Sequence, residues 1–127
     1  MRENKINWNY IKYFKLKEFV CPCCQKSVIS EELVLKLDLA REIAEVPFRI
    51  NSAYRCQKHN QFVGGVKDSS HMFGLAVDIA CLKGVDRIKI LRGLIIAGFR
   101  RIGIGKTFIH VDINSSKPNN LWLYEDK

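Results

Sequence analysis

The sequence has no long hydrophobic run, no internal repeat and no low-complexity tract among its 127 residues. Because a bilayer crossing needs about eighteen consecutive apolar residues, we expect no insertion into a membrane. The first residues, Met1–Trp8, also lack the apolar stretch of a signal peptide, so we expect a protein made in the cytoplasm. A hydrophobic content of 47% is enough for one core, which predicts a single domain over residues 1–127.

Histidine is scarce, with only three residues, and two of them lie beside carboxylates. His71 and Asp78 are seven positions apart, so on a straight strand they would lie roughly 23 Å apart on opposite faces. On a helix they would stand about 10 Å apart, which is too far to share one metal ion. The chain must therefore bend between them if they act together, and Gly74 is where a bend costs least. Residues Leu75–Cys81 then alternate as a strand.

A second predicted strand, Thr107–Ile113, places three aliphatic side chains on one face and His110 with Asp112 on the other. His71, Asp78 and His110 would form a set of three ligands that leaves a fourth zinc position for water. Such an open site suits hydrolysis, although other divalent ions accept the same ligands. Taken singly, each histidine is more typical of a surface or capping position, and an aspartate between alanines usually pairs with a neighbouring donor.

The motif Ser69-x-His71-x-x-Gly74-x-Ala76-x-Asp78, followed by His110-Val111-Asp112, resembles the zinc D-alanyl-D-alanine carboxypeptidases and peptidoglycan endopeptidases. A similar metal site occurs in the Hedgehog signalling domain. The likeness covers residues from about 48 to 113, including Ile50–Arg55, and the His-Val-Asp ending is similar to a short branch of phage and prophage proteins.

This resemblance implies a Zn²⁺ ion bound by His71, Asp78 and His110. It also implies that Arg55 binds the substrate and serves catalysis, and that Ser69 helps to hold the substrate. A guanidinium fits a peptide carbonyl or terminal carboxylate through parallel hydrogen bonds, although an ordinary surface salt bridge is the alternative for Arg55. His59 is a further substrate-binding candidate, with an exposed helix position as its alternative.

The sequence departs from several family branches at Thr107, where they carry an acidic general base three residues before the last histidine ligand. Threonine cannot take a proton from zinc-bound water at neutral pH. Asp112 is the nearest acidic alternative. It is predicted either as the catalytic base or as a hydrogen-bond partner that fixes the tautomer of His110.

We therefore expect a monomeric zinc peptidase acting on peptidoglycan stem peptides, as a carboxypeptidase or an endopeptidase. The setting we expect is that of a phage or prophage lysis enzyme released to the cell wall. The alternative is a zinc-stabilised binding or structural module without activity. The net charge of +8 suits an anionic wall. The basic residues are scattered without a recognition helix or base-stacking motif, so we expect no nucleic acid partner.

Cysteine occurs five times, three of them in Cys21-Pro22-Cys23-Cys24. This stretch contains one Cys-x-x-Cys spacing, but no second pair follows, and only the separate Cys56 and Cys81 remain. The local signal for a structural zinc site is therefore incomplete. We expect reduced thiols, with Cys81 in the core.

The remaining pattern predicts an α+β fold: a small, mainly antiparallel sheet with helices on one side and the zinc cleft on the other. An N-terminal segment over about residues 1–29 packs on the domain. Helices are expected from Ser30 to before Pro47, over 57–63 and over 86–97, the last with an apolar face of Ile88, Leu91, Leu94 and Ile95. Strands are expected over 48–52 and 121–124, and as a hairpin over 99–113.

Overall fold

The computed structural model describes residues 6–125 and has the predicted α+β fold. The first five residues of the predicted N-terminal segment and the last two residues of the chain lie outside the described residues. The helices are α1 (Glu31–Ala44), α2 (Gln57–Phe62) and α3 (Gly84–Ile96), and the strands are β1 (Ile50–Ser52), β2 (Ala76–Ala80), β3 (Arg101–Ile104), β4 (Phe108–Asp112) and β5 (Asn120–Leu123). Within residues 6–125, no helix combines the length and hydropathy that crossing a membrane requires.

The five strands form one sheet in the order β1-β2-β4-β3-β5. The pairs β1 with β2, β2 with β4 and β3 with β4 are antiparallel, so the mainly antiparallel sheet and the predicted hairpin are both confirmed. The last strand, β5, runs parallel to β3 and closes the sheet at one edge. In the register between β2 and β4, Asp78 lies opposite His110. The sheet itself therefore brings these two side chains together.

Helix α1 begins as predicted, because the Ser30 hydroxyl accepts a hydrogen bond from the Leu33 amide at 3.3 Å. Its buried face includes Leu33, Val34 and Leu37. The helix ends at Glu45, which adopts the left-handed conformation two residues before Pro47.

The apolar face predicted for α3 is partly wrong, because the side chains of Ile88 and Ile95 are 63% and 55% exposed. The face turned inward carries Leu94, as predicted, together with Ile90, on either side of Gly93. A side chain at Gly93 would meet the Ala40 carbonyl oxygen of α1 at 2.4 Å, so the two helices touch through this glycine. This close approach sets the rotation of α3.

The N-terminal segment packs on the domain through its aromatic side chains. Phe14 and Phe19 are buried, with ring centroids 5.7 Å apart in an edge-to-face arrangement. The apolar pattern of this segment also predicts packing through Leu16, but this residue is 46% exposed. The segment therefore adds a small aromatic layer to the core and leads into the cysteine-containing turn that starts at Cys21.

Candidate metal centre

The bend predicted at Gly74 is present and brings His71 towards the sheet. A single 3-10 turn over Ser70–Phe73 precedes it, and Gly74 adopts a left-handed conformation with φ of 70°. A side chain at this position would lie 1.8 Å from the Val28 carbonyl oxygen. Both the backbone angle and the lack of space therefore require glycine here.

Three predicted ligands converge on one point. The candidate ligand atoms of His71, Asp78 and His110 all lie within 4.8 Å of one another. Oδ1 of Asp78 is 3.3 Å from Nε2 of His71 and 2.9 Å from Nδ1 of His110. The three side chains come from the 3-10 turn, β2 and β4, so the predicted set is assembled from separate segments.

Hydrogen bonds orient both imidazoles for a metal ion. Nδ1 of His71 lies 2.8 Å from the Ala53 carbonyl oxygen, which can only accept, so Nδ1 donates to it and Nε2 is the nitrogen directed at Asp78. Nε2 of His110 lies 2.8 Å from Oδ2 of Asp112, which leaves Nδ1 facing Asp78. Ligating histidines in zinc sites are held in this way, so the residues fit Zn²⁺.

The charges in this cluster stabilise one another. Burial alone would raise the pKa of Asp78, but the His110 and His71 rings hold it far below its usual range. Burial alone would lower the pKa of His110, but Asp112 and Asp78 more than offset it and raise it. In the metal-free protein the aspartates are therefore ionised, and His110 gains a proton more readily than a free imidazole.

Asp112 is buried and its two oxygens are both occupied. Oδ2 faces His110, while Oδ1 accepts a hydrogen bond from Nε of Arg101 at 2.7 Å and another from the Asn114 amide at 3.0 Å. Burial would raise the pKa of Asp112, but His110, the Asn114 amide and Arg101 lower it. Thr107 is exposed in the turn before β4, and it does not line the cleft around the three ligands within the described chain.

Arg55 and Ser69 both line this cleft, which has a volume of about 380 Å³. The Arg55 guanidinium lies 3.5 Å from Oδ2 of Asp78 and also donates to Ser52 and Asn60. The Ser69 hydroxyl accepts a hydrogen bond from the His71 amide at 3.2 Å. Arg55 therefore lies beside the three candidate metal ligands and is not an isolated surface charge.

His59 lies elsewhere. Within residues 6–125 it is not among the side chains that line the cleft; it is half-buried on α2, its ring stacks on Phe62 with centroids 6.4 Å apart, and it lines shallow grooves beside Pro22. The structure therefore does not bring it together with the other predicted site residues.

The C-terminal strand supplies an aromatic wall that sequence reasoning missed. Trp122 and Tyr124 line the cleft, and the Trp122 ring centroid is 5.6 Å from that of His110. The indole packs over Gly103, where a side chain would come within 2.5 Å of it. The Arg101 guanidinium also lies over the Trp122 ring, with Cζ 5.0 Å from the ring centroid. The sequence predicted a strand over 121–124, but it did not indicate that the aromatic side chains of this strand line the cleft.

Basic side chains of the cleft were also missed. Arg101 and Lys117 line it together with Arg55, while the acidic residues that line it, Asp78 and Asp112, are paired with histidine or arginine. The basic residues are paired as well, Arg55 with Asp78, Arg101 with Asp112 and Lys117 with Asp68, so the cleft is lined by ion pairs.

The family model described as Peptidase M15 matches residues 12–112 of the chain. The search of curated proteins found no match to the chain. The matched range contains all three converging ligands as well as Arg55 and Ser69. The chain therefore belongs to the Peptidase M15 family, the zinc peptidases that include D-alanyl-D-alanine carboxypeptidase-like enzymes.

Proposed function

We propose that the protein is a zinc-dependent peptidase that hydrolyses peptide bonds in the stem peptides of bacterial peptidoglycan. The observation that carries this proposal is the convergence of His71, Asp78 and His110 within 4.8 Å, in an M15 family chain. Two imidazoles and one carboxylate are a ligand set of catalytic rather than structural zinc sites. When bound there, zinc would lower the pKa of a water molecule and polarise the scissile carbonyl.

The protein's own residues would then hold the substrate. We assign Arg55 to the peptide carbonyl or terminal carboxylate, because its guanidinium faces the cleft and lies beside Asp78 at 3.5 Å. Ser69 caps the turn that carries His71 and lines the same cleft. We therefore assign it a second polar contact with the substrate. Trp122 would exclude water from one wall of the cleft.

We assign Asp112 a positioning role through His110. Asp112 is 2% exposed, and its oxygens already accept hydrogen bonds from His110, Arg101 and the Asn114 amide. A carboxylate behind a ligating histidine fixes the ring and raises its basicity, so the residue would strengthen metal binding rather than take the proton from water.

The biological setting we propose is lysis of the bacterial cell wall, as in a phage or prophage lysis enzyme. The net charge of +8 supports this setting because the wall is anionic. Either a carboxypeptidase or an endopeptidase is compatible with the cleft. A zinc-stabilised module without activity is the second candidate, favoured by Thr107, because no acidic residue stands three positions before His110.

Mass spectrometry of peptidoglycan fragments after incubation with the purified protein tests the proposal. We expect cleaved stem peptides with zinc, none after chelation, and recovery when zinc is returned. Release of a terminal alanine would identify a carboxypeptidase, and separation of cross-linked peptides an endopeptidase. The His71→Ala variant is the matched control. No zinc-dependent product from any wall preparation, with zinc bound at the cleft, would favour the inactive module.

A further inference from the structure

Outside the cleft, the structure gathers three of the five cysteines. The Sγ atoms of Cys21, Cys23 and Cys56 lie within 4.8 Å of one another. Cys24 follows Cys23 in the same turn, but its Sγ is not among the atoms that meet at this distance. The fold therefore supplies, through Cys56, the partner that the Cys-x-x-Cys sequence lacks.

The spacing of the sulfurs matches tetrahedral zinc rather than a disulfide. The Sγ atoms of Cys21 and Cys56 are 3.7 Å apart, and those of Cys56 and Cys23 are 3.8 Å apart. With Zn–S bonds of about 2.3 Å, the edge of a regular tetrahedron of sulfurs is about 3.8 Å. A disulfide needs about 2.05 Å, and all five cysteines are free thiols.

Backbone amides around the cluster favour the thiolate of Cys21, whereas the hydrogen bond between the Cys23 and Cys56 thiols raises the pKa of Cys23. The chain folds into a tight turn after Cys21. The Cys21 amide donates a hydrogen bond to the Lys26 carbonyl at 2.7 Å, and the Gln25 amide donates one to the Cys21 carbonyl at 2.8 Å. Burial alone would raise the pKa of Cys21, but the amides of Cys56, Cys24 and Cys23 lower it to about 7. The Cys56 sulfur accepts a hydrogen bond from the His59 amide at 3.4 Å.

We propose that Cys21, Cys23, Cys24 and Cys56 bind a second Zn²⁺ ion, which is structural and ties the N-terminal segment to the loop between β1 and α2. Four sulfur ligands would close the coordination sphere and leave no position for water, unlike the three-ligand set of the cleft. Cys56 directly follows Arg55, so this ion would anchor the loop that delivers Arg55 to the cleft. The site does not depend on the peptidase activity.

Cobalt binding tests the second site without reference to activity. In the full chain with His71→Ala, prepared metal-free under reducing conditions, we expect one Co²⁺ per chain with strong sulfur-to-cobalt charge-transfer absorption, displaced by Zn²⁺. Cys23→Ala in this background should lower the absorption at saturation and weaken Co²⁺ binding at least about 10-fold, because only three sulfurs remain. Cys81→Ala should leave both unchanged, because Cys81 lies in the core outside the cluster. No charge-transfer absorption in the His71→Ala chain, or unchanged absorption and affinity in Cys23→Ala, would overturn the proposal.

Folding controls keep this test decisive. Cys23 is exposed, so the metal-free Cys23→Ala variant should keep the far-ultraviolet circular dichroism and melting temperature of the metal-free His71→Ala chain. Cys56→Ser, whose hydroxyl still accepts the His59 amide, must weaken Co²⁺ binding and lower the absorption as well. Zn²⁺ should raise the melting temperature of the His71→Ala chain by about 5 °C or more. An equal rise in Cys23→Ala would contradict the assignment.

The fourth ligand has its own test. In the His71→Ala background, Cys24→Ala should weaken Zn²⁺ binding at least about 10-fold, measured by competition with a chromogenic chelator, because three sulfurs and a water hold zinc less tightly than four sulfurs. An unchanged affinity would exclude Cys24 from the site. Mass spectrometry that finds Cys56 in a disulfide with Cys21 or Cys23 under the same reducing conditions would overturn the whole assignment.

Discussion

The two clusters of metal-ligating side chains differ in chemistry and in assembly. The cleft gathers nitrogen and oxygen ligands from β2, β4 and the turn before Gly74, and each imidazole is held by a further hydrogen bond. The cysteine cluster gathers sulfur from a tight turn and one residue 35 positions away. An open three-ligand site suits catalysis and a closed sulfur site suits stability. Zinc would therefore have a catalytic role at the cleft and a structural role at the cysteine cluster.

The sharpest test of this division is Asp78→Asn. We expect zinc-dependent hydrolysis of peptidoglycan to fall by roughly 1,000-fold or more, because the cleft loses its only anionic ligand. Sulfur-to-cobalt absorption from the cysteine cluster should be unchanged, and it can be measured on the same sample. Loss of both signals together would mean that the two sites are not separate.

A smaller effect is expected from Asp112→Asn, which keeps the shape of the side chain but removes its charge. Zinc affinity at the cleft should fall about 10- to 100-fold, because His110 loses its anionic hydrogen-bond partner. Titration with zinc should then restore most of the hydrolysis rate at saturation. A rate that stays low with the metal fully bound would instead identify Asp112 as the general base.

The cysteine cluster should influence catalysis only through Arg55. Cys23→Ala is expected to lower kcat/KM by a few-fold, mainly through KM, because the loop that carries Arg55 loses its anchor. Zinc content of the cleft, measured on the same preparation, should not change, and Cys81→Ala should behave like the unmodified protein. A large loss in kcat would contradict a role confined to substrate positioning.

The smallest expected effect is a pH dependence of the metal-free protein. The pKa values of Asp78 and Asp112 are lowered in the folded state, so their stabilisation is present above the usual carboxyl range and is lost in acid. The pKa of His110 is raised, so its stabilisation is complete below its ordinary value of 6.5 and is lost as the pH rises through the folded value. The melting temperature should therefore be a few degrees higher near pH 6 than near pH 8.

Zinc should reverse this trend, since metal binding requires unprotonated imidazole and is favoured by rising pH. Thermal melts at pH 6 and pH 8, with and without zinc, on a Cys21→Ala/Cys23→Ala double variant would isolate the contribution of the cleft, because this variant lacks the Cys21 thiol that titrates in the same range. A metal-free melting temperature that rises from pH 6 to pH 8 would contradict the charge arrangement described above.

The separate parts of the cleft were predictable because each depends on a local sequence pattern, and the family resemblance implied that they converge. An alternation of period two places His110 and Asp112 on one strand face, and Gly74 marks the bend before Asp78. The approach of Cys56 to Cys21 depends on tertiary packing, so no spacing in the sequence indicates it. The same is true of Trp122, whose position requires the parallel pairing of β5 with β3, and of α3, whose rotation follows from the contact at Gly93.

The position of Trp122 gives the protein an optical reporter of its own. The chain has two tryptophans: Trp8 packs on Phe19, with ring centroids 5.7 Å apart, in the N-terminal segment, and Trp122 lies 5.6 Å from the imidazole of His110. In a Trp8→Phe variant the remaining indole becomes a single fluorophore beside the metal-binding ring. Its emission would then follow occupancy of the cleft in real time, without a label and without any turnover of substrate.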